Sequence, residues 1–280
     1  MILITGATGN VGREAITQLL DERLSVMAVS REPSTSALPG GAEVVRADPS
    51  RPRTLEAALD GVEAILLSPR AAGGAVAELL ALAGRQGVKR VVLLSAVTVQ
   101  YPAGYQRFAD EFRAVEQIVR DSGLDWTILR CADFASNTLA WAGQIRSTGT
   151  IRGAYPNAAS STIHERDIAA VAVRALTDPV HGGQAYALTG PQSLSQLDKV
   201  RAIGRAIGED LSFVELPADQ VRQGMLAAGL PEDVPDRLLG SLADYAFTPG
   251  PSTDTVQRLL GRPALTFASW AAEHAAAFLG

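Results

Sequence analysis

The chain is 280 residues long, 47% hydrophobic and 20% charged, with a formal net charge of −5. These proportions are those of a soluble globular protein rather than a disordered or membrane-embedded one, and an acidic chain with no run of more than two Lys or Arg argues against a nucleic-acid partner. The one cysteine, Cys131, excludes an intramolecular disulfide and a cysteine-rich metal site and fits a reducing, cytoplasmic compartment; the amino terminus shows no export signal.

In chain order, the apolar run Ile2–Thr5 reads as a strand, Gly6 to Gly12 as a glycine-rich turn, and Ile16, Leu19 and Leu20 recur at helical spacing. Strand-like runs follow at Ser25–Val29, Glu43–Arg46, Ala64–Leu67, Val91–Leu94 and Trp126–Leu129, and Ser34 to Gly41 reads as a polar loop. Phe108, Phe112, Val115 and Val119 line one face of a helix ending at Ser122-Gly123, where glycine supplies a left-handed cap. Six strands alternating with helices predict an α/β fold, a doubly wound parallel sheet of Rossmann type covered on both faces. Beyond residue 140 the pattern predicts a helix at Ile168–Leu176, a strand at Gln184–Leu188, a helix at Ser195–Ile207 and a strand at Leu211–Leu216, then helical segments punctuated by Gly and Pro. The expected division is a nucleotide-binding core over 1–150, rejoined by 160–190, and a smaller, mainly helical substrate lobe over 191–280.

The turn Gly6-Ala7-Thr8-Gly9-Asn10-Val11-Gly12 stands directly after a strand and directly before a helix. The first glycine allows the tight turn, the second lets backbone approach a pyrophosphate, and the third lets helix and strand pack closely, while amides at the helix start attract anionic oxygens. Gly6, Thr8, Gly9, Asn10, Val11 and Gly12 are therefore the expected dinucleotide contacts. At the end of the second strand, where an NAD site would carry an acid for the ribose hydroxyls, the chain has Ser30-Arg31, with Glu32 one position late. A guanidinium pairs with a 2′-phosphate through charge-assisted hydrogen bonds, so Arg31 predicts NADP(H).

Over almost its whole length the chain resembles the atypical short-chain dehydrogenase/reductases of the NmrA-like and NAD(P)H:quinone-oxidoreductase-like type. The resemblance is carried by the glycine turn, Ala47-Asp48-Pro49, Gly61-Val62-Glu63-Ala64, Val88-Lys89-Arg90-Val91-Val92, the run Ser122 to Arg130, Phe134 with Asn137, Asp167-Ile168-Ala169, Leu188-Thr189-Gly190-Pro191 and Gly261-Arg262-Pro263. It implies a Rossmann domain holding NADP(H), with Asp48 near the adenine, Ser68 and Pro69 lining the cofactor channel, and Ser95 beside the nicotinamide, where its hydroxyl would meet a substrate carbonyl. Phe134, Asn137 and Trp141, after the sixth strand, and Tyr105 are the candidate substrate contacts.

The chain departs from the wider superfamily at the proton donor. That donor is a tyrosine with a lysine four residues later, whose ammonium lowers the phenol's pKa. Here Tyr105 is followed at that spacing by Ala109, and Tyr101 by Tyr105. Neither tyrosine is assigned as a general acid; the proton would come from solvent, a relay through Ser95, or a hydroxyl on the substrate. His164-Glu165-Arg166-Asp167 is read as a structural junction with Asp167 capping the next helix, and His181 and His274 suggest no metal site. The expected function is NADPH-dependent reduction of a ketone or quinone, such as the aromatic polyketides of antibiotic biosynthesis. An NmrA-like sensor that binds NADP(H) without turnover is the alternative, and a cofactor-retaining epimerase a third; whether the chain is a homo-oligomer is left open.

Overall fold

Short aliphatic runs with no polar face belong inside a sheet covered on both sides, and that is where the chain puts them. The computed structural model describes residues 1–35 and 38–279; Ser36 and Ala37, in the expected polar loop, lie outside the described residues. The chain opens with β1 (Ile2–Ile4), α1 (Asn10–Asp21), β2 (Val26–Ser30), β3 (Glu43–Arg46) and β4 (Ala64–Leu67). It continues through α2 (Pro69–Ala72), α3 (Val76–Arg85), β5 (Arg90–Ala96), α4 (Gln106–Arg120) and β6 (Asp125–Cys131). Next come α5 (Ala142–Thr148), β7 (Thr150–Gly153), β8 (Ala159–Ser160), α6 (Glu165–Thr177), β9 (Gln184–Leu188) and β10 (Leu194–Ser195). The remainder is α7 (Gln196–Ile207), β11 (Ser212–Glu215), α8 (Ala218–Ala227), α9 (Asp233–Phe247), α10 (Thr255–Leu260), α11 (Phe267–Glu273) and α12 (Ala275–Phe278).

Seven strands form one sheet in the order β3-β2-β1-β4-β5-β6-β9, and β1 pairs in parallel with both β2 and β4. The strand order reverses between β1 and β4, which creates the crevice where ligands of open α/β sheets bind. The fold class read from the sequence is thus the observed one. α4 stops at Arg120, earlier than expected, and Gly123, three residues later, adopts φ +77° in the turn that leads to β6.

The chain divides into two compact units. One comprises Met1–Ala96, Glu111–Cys131 and Glu165–Ala187; the other comprises Val97–Asp110, Ala132–His164 and Leu188–Gly280. This division differs from the expected one at 150: the segments that leave β5 and β6 belong to the second unit. A reading built on continuous alternation could not see this, because the chain crosses between units within α4 and at the end of a strand.

The first unit is held by a core that includes Leu3, Ile65, Leu67, Leu79, Val91, Leu93, Val119 and Ile128. Each large aliphatic side chain removed from water in this way contributes about 1.5–3 kcal/mol. The second unit has its own core, centred on Trp270, Phe278, Ile151 and Ile203, against which Trp141 packs. It contains two small pairings absent from the sequence reading, β8 with β10 and β7 with β11. β8 and β10 are only two residues long, and β7 is flanked by Gly149 and ends at Gly153, so none shows an apolar run. The predicted strand at 211–216 is β11, and its partner β7 runs parallel to it.

Candidate functional site

The carboxyl end of β1 leads straight into the glycine turn. Gly6 adopts φ +67°, and a Cβ there would stand 2.8 Å from Ser68 Cβ. Gly12 is buried, and a Cβ on it would collide with the Gly6 carbonyl oxygen and come within 2.9 Å of Ala7 Cα. Gly9 differs: its added Cβ would meet only the Gly6 oxygen, at 3.3 Å, leaving the outer face of the turn open. Gly9 caps α1 without a side-chain hydrogen bond, and the first turn of α1 carries no acid. The amides of that turn lie beyond the reach of intrahelical acceptors and form the positive end of the helix. Arg13 Nε donates to the Thr8 carbonyl at 3.0 Å and secures the turn from the helix side.

Thr5, the last residue of the expected first strand, fastens the turn to its neighbour. It is buried; its Oγ1 donates to the Leu66 carbonyl at 2.9 Å and accepts from the Ser68 amide at 2.8 Å. Ser68 is thereby held over Gly6, at the head of α2 where Pro69 begins the helix, and its hydroxyl makes no capping bond. A polar residue closing an otherwise apolar strand was the signal for Thr5.

At the ends of β2 and β3, Arg31 is exposed and Asp48 half-buried. Asp48 Oδ1 accepts from the Ser50 hydroxyl at 2.7 Å and the Ser50 amide at 3.0 Å, and Arg51 Nε lies 3.9 Å from Oδ2. Those hydrogen bonds from Ser50, helped by the charges of Arg31 and Arg51, hold the Asp48 carboxyl below its ordinary range. One guanidinium, that of Arg51, therefore stands beside the Asp48 carboxylate, and the charge of Arg31 acts on it from the end of β2.

Ser95 is buried near the end of β5, and its Oγ donates to Glu116 Oε1 at 2.7 Å. Glu116 is wholly buried and is gripped by Arg130 through two bonds of 2.9 and 2.7 Å and by Arg120 at 2.8 Å. Burial pushes the Glu116 carboxyl up, but the hydrogen bonds from Arg130, Ser95 and Arg120 outweigh it and hold the group below its ordinary value. A substrate carbonyl is the expected partner of the Ser95 hydroxyl; in the fold that hydroxyl donates a hydrogen bond to the Glu116 carboxylate. Glu116 itself went unread, although it stands four residues after Phe112 on the apolar stripe of α4, a position where a charge needs a partner.

In the second unit, Tyr105 is half-buried and its carbonyl accepts from the Phe108 amide at 3.0 Å. The loop before it is docked on α9: the Gly104 amide donates to Asp244 Oδ2 at 2.6 Å, and the Arg237 guanidinium lies 4.6 Å from the Phe108 ring centre. Ala109, where a lysine would be needed, is buried. Phe134 is half-buried and forms a bridge with Ile163, while Asn137 is exposed and its amide donates to the Phe134 carbonyl at 3.0 Å. Trp141 is half-buried against the second core. His164 is buried with Nε2 3.3 Å from Glu273 Oε2, and Asp167 lies inside the first turn of α6 rather than at its cap, because the helix already begins at Glu165. Among the described residues, no group of three or more His, Cys, Asp or Glu could hold a metal, and no helix is long and apolar enough to cross a membrane. Burial raises the Cys131 thiol well above its ordinary range, which makes it a poor nucleophile.

Residues 6–179, the glycine turn included, match the NAD(P)H-binding family. The chain belongs to the NAD(P)H-binding family. It is 40% identical over 99% of both chains to the (4-alkanoyl-5-oxo-2,5-dihydrofuran-3-yl)methyl phosphate reductase of Streptomyces griseus. It is also 36% identical, over 99% of both chains, to the NAD(P)H azoreductase of Xenophilus azovorans. Among solved structures it resembles the NADPH-dependent quinone oxidoreductase of Escherichia coli in complex with NADPH, with a TM-score of 0.81 and 26% identity over 98% of this chain and 99% of that one.

For an NAD(P)H-binding oxidoreductase the glycine turn passes a physical test of fit. Its packed side, at Gly6 and Gly12, has no room for a side chain, and its open side, at Gly9, carries no Cβ and leads into the start of a helix. A diphosphate needs that combination: rigid amide donors, no Cβ in the way, and no competing carboxylate.

Proposed function

We propose that this NAD(P)H-binding oxidoreductase uses NADPH to reduce a ketone or quinone carbonyl of a planar, conjugated small molecule. The observation that carries the cofactor choice is Arg31, an exposed guanidinium at the end of β2. In this reading the first-turn amides of α1 with Gly9 hold the diphosphate, Arg31 meets the 2′-phosphate, and Asp48 and Ser68 with Pro69 border the adenine and nicotinamide portions. When bound, the reduced nicotinamide supplies hydride.

The chain's own residues then have to orient an acceptor and exclude water rather than furnish a strong acid. Ala109 leaves Tyr105 without the ammonium that makes a phenol a fast donor, and the Ser95 hydroxyl is already engaged as a hydrogen-bond donor to Glu116. A conjugated acceptor suits such a site, because charge arriving with hydride spreads over the π system and is protonated from solvent or from a hydroxyl on the acceptor itself. The relatives support this: their names specify a quinone, an azo compound and an alkanoyl dihydrofuranone, all conjugated. Phe134, Asn137, Trp141 and Tyr105 are the proposed substrate contacts. Steady-state oxidation of NADPH and NADH with a panel of quinones and aromatic ketones tests the proposal; flux with NADPH well above that with NADH is expected. Nucleotide affinity without flux to any acceptor would instead identify a sensor.

A further inference from the structure

The second unit has a cleft of its own at the carboxyl ends of β7 and β11. Its volume is about 340 Å³, and it is lined by Ala154 and Tyr155, which follow β7, and by Glu215 to Ala218, which close β11 and open α8. That size is at the small end for ligand-binding clefts and suits a molecule of one or two rings. Tyr155 stands there under strain. Its φ is +55°, in the left-handed region that side chains avoid, and Pro156 after it disfavours helical backbone at the residue before. The surrounding loop imposes the conformation: the Leu216 amide donates to the Gly153 carbonyl at 2.8 Å, the Ala158 amide to the Tyr155 carbonyl at 3.0 Å, and the Leu197 amide to the Pro156 carbonyl at 3.2 Å. Glycine would take this backbone at no steric cost, and strain of this kind on a bulky side chain is found where the side chain clamps a ligand.

Apart from the Tyr155 hydroxyl, the one polar side chain lining the cleft is Glu215. Glu215 is exposed, and among the described residues its carboxylate has neither a hydrogen-bond nor an ion-pair partner. Strand register keeps the nearby Arg152 away from it: Glu215 pairs with Gly153, which has no side chain, while Arg152 pairs with Val214 and so stands on the opposite face of the two strands. The amides at the start of α8 would favour an anion, but Asp219 already stands in that turn. No lining residue is a cation. An aromatic ring and an unpaired carboxylate on one small, otherwise apolar cleft are the groups that attract a positively charged ring system.

We propose that this cleft binds a small aromatic molecule carrying a positive charge, with the Tyr155 ring against its π system and the Glu215 carboxylate as its counter-charge.

Calorimetric titration of the full chain with 2-(aminomethyl)naphthalene, a cation at neutral pH, and with 2-(hydroxymethyl)naphthalene, its neutral counterpart of nearly the same size, tests this. Neither nucleotide nor turnover is needed, so the outcome is separate from that of the reductase reading. The unsubstituted chain is expected to bind the amine roughly tenfold more tightly than the alcohol, the order of one hydrogen bond to a charged group. Glu215→Gln is expected to bring the two affinities within about twofold of each other. Tyr155→Gly, which keeps the backbone conformation without strain, is expected to weaken both probes by roughly fivefold. Equal affinities in the unsubstituted chain, no binding of either probe, or an undiminished preference for the amine in Glu215→Gln would overturn the inference. So would a Tyr155→Gly chain that binds both probes as tightly as the unsubstituted chain.

Discussion

The Ser95 hydroxyl donates to Glu116 Oε1 at 2.7 Å, and that carboxylate is completely buried between β5, β6 and α4 with Arg130 and Arg120 as its charge partners. A hydroxyl bonded in this way is part of the scaffold that fixes the end of β5. Ser95→Ala should therefore lower stability by about 1.5–3 kcal/mol, the range for a hydrogen bond to a charged group, while kcat for quinone reduction stays within roughly threefold. Urea unfolding together with steady-state kinetics checks this; a kcat loss of about a hundredfold with unchanged stability would return Ser95 to direct contact with the substrate.

Glu116 makes the fold sensitive to acid. Its carboxyl is held below the ordinary value of 4.5, so its contribution is fully present above that pH and is lost as pH falls through the lowered folded-state value. Glu116→Gln leaves Arg130 facing a neutral amide and should cost about 3–5 kcal/mol at neutral pH. The variant should also lose less of its remaining stability between neutral and acidic pH than the unsubstituted chain does. Urea midpoints measured across that range test both statements; parallel pH curves would contradict them.

The glycine turn separates folding from binding. Gly12→Ala places a methyl group against the Gly6 carbonyl and should destabilise the protein through overpacking at the β1–α1 junction, by about 1–3 kcal/mol or more. Gly9→Ala meets only the Gly6 oxygen at 3.3 Å and should fold nearly normally, yet weaken NADPH by at least about tenfold because its methyl faces the open side of the turn. Thermal unfolding and nucleotide titration on the two variants distinguish these outcomes.

Much of this was legible in the residues alone. The six strands, the turn and the helix carrying Phe108 to Val119 declare themselves because periodicity and glycine spacing are local signals. What stayed hidden depends on distant partners. Glu116 looks like any helical glutamate until Arg130, fourteen residues on, is folded beside it, and Lys199 reads as a surface lysine until Ser160, on β8, meets its ammonium. The division into units is hidden for the same reason: the segments after β5 and β6 carry no mark in the sequence of the unit they join.

Arg31 decides between the two nucleotides. Removing its guanidinium in Arg31→Ala should weaken NADPH at least about tenfold and NADH far less, since the bare ribose offers it little. Equal losses for both nucleotides, measured by fluorescence titration, would take the 2′-phosphate away from Arg31.

Calorimetric titration of the unsubstituted chain with NADPH and then NADH bears most directly on the account as a whole, because every proposed role depends on a dinucleotide held at Gly6–Gly12. Saturable binding at one site per chain is predicted, with NADPH at least about tenfold tighter than NADH. No heat with either nucleotide would contradict the assignment of that turn and the chemistry built upon it.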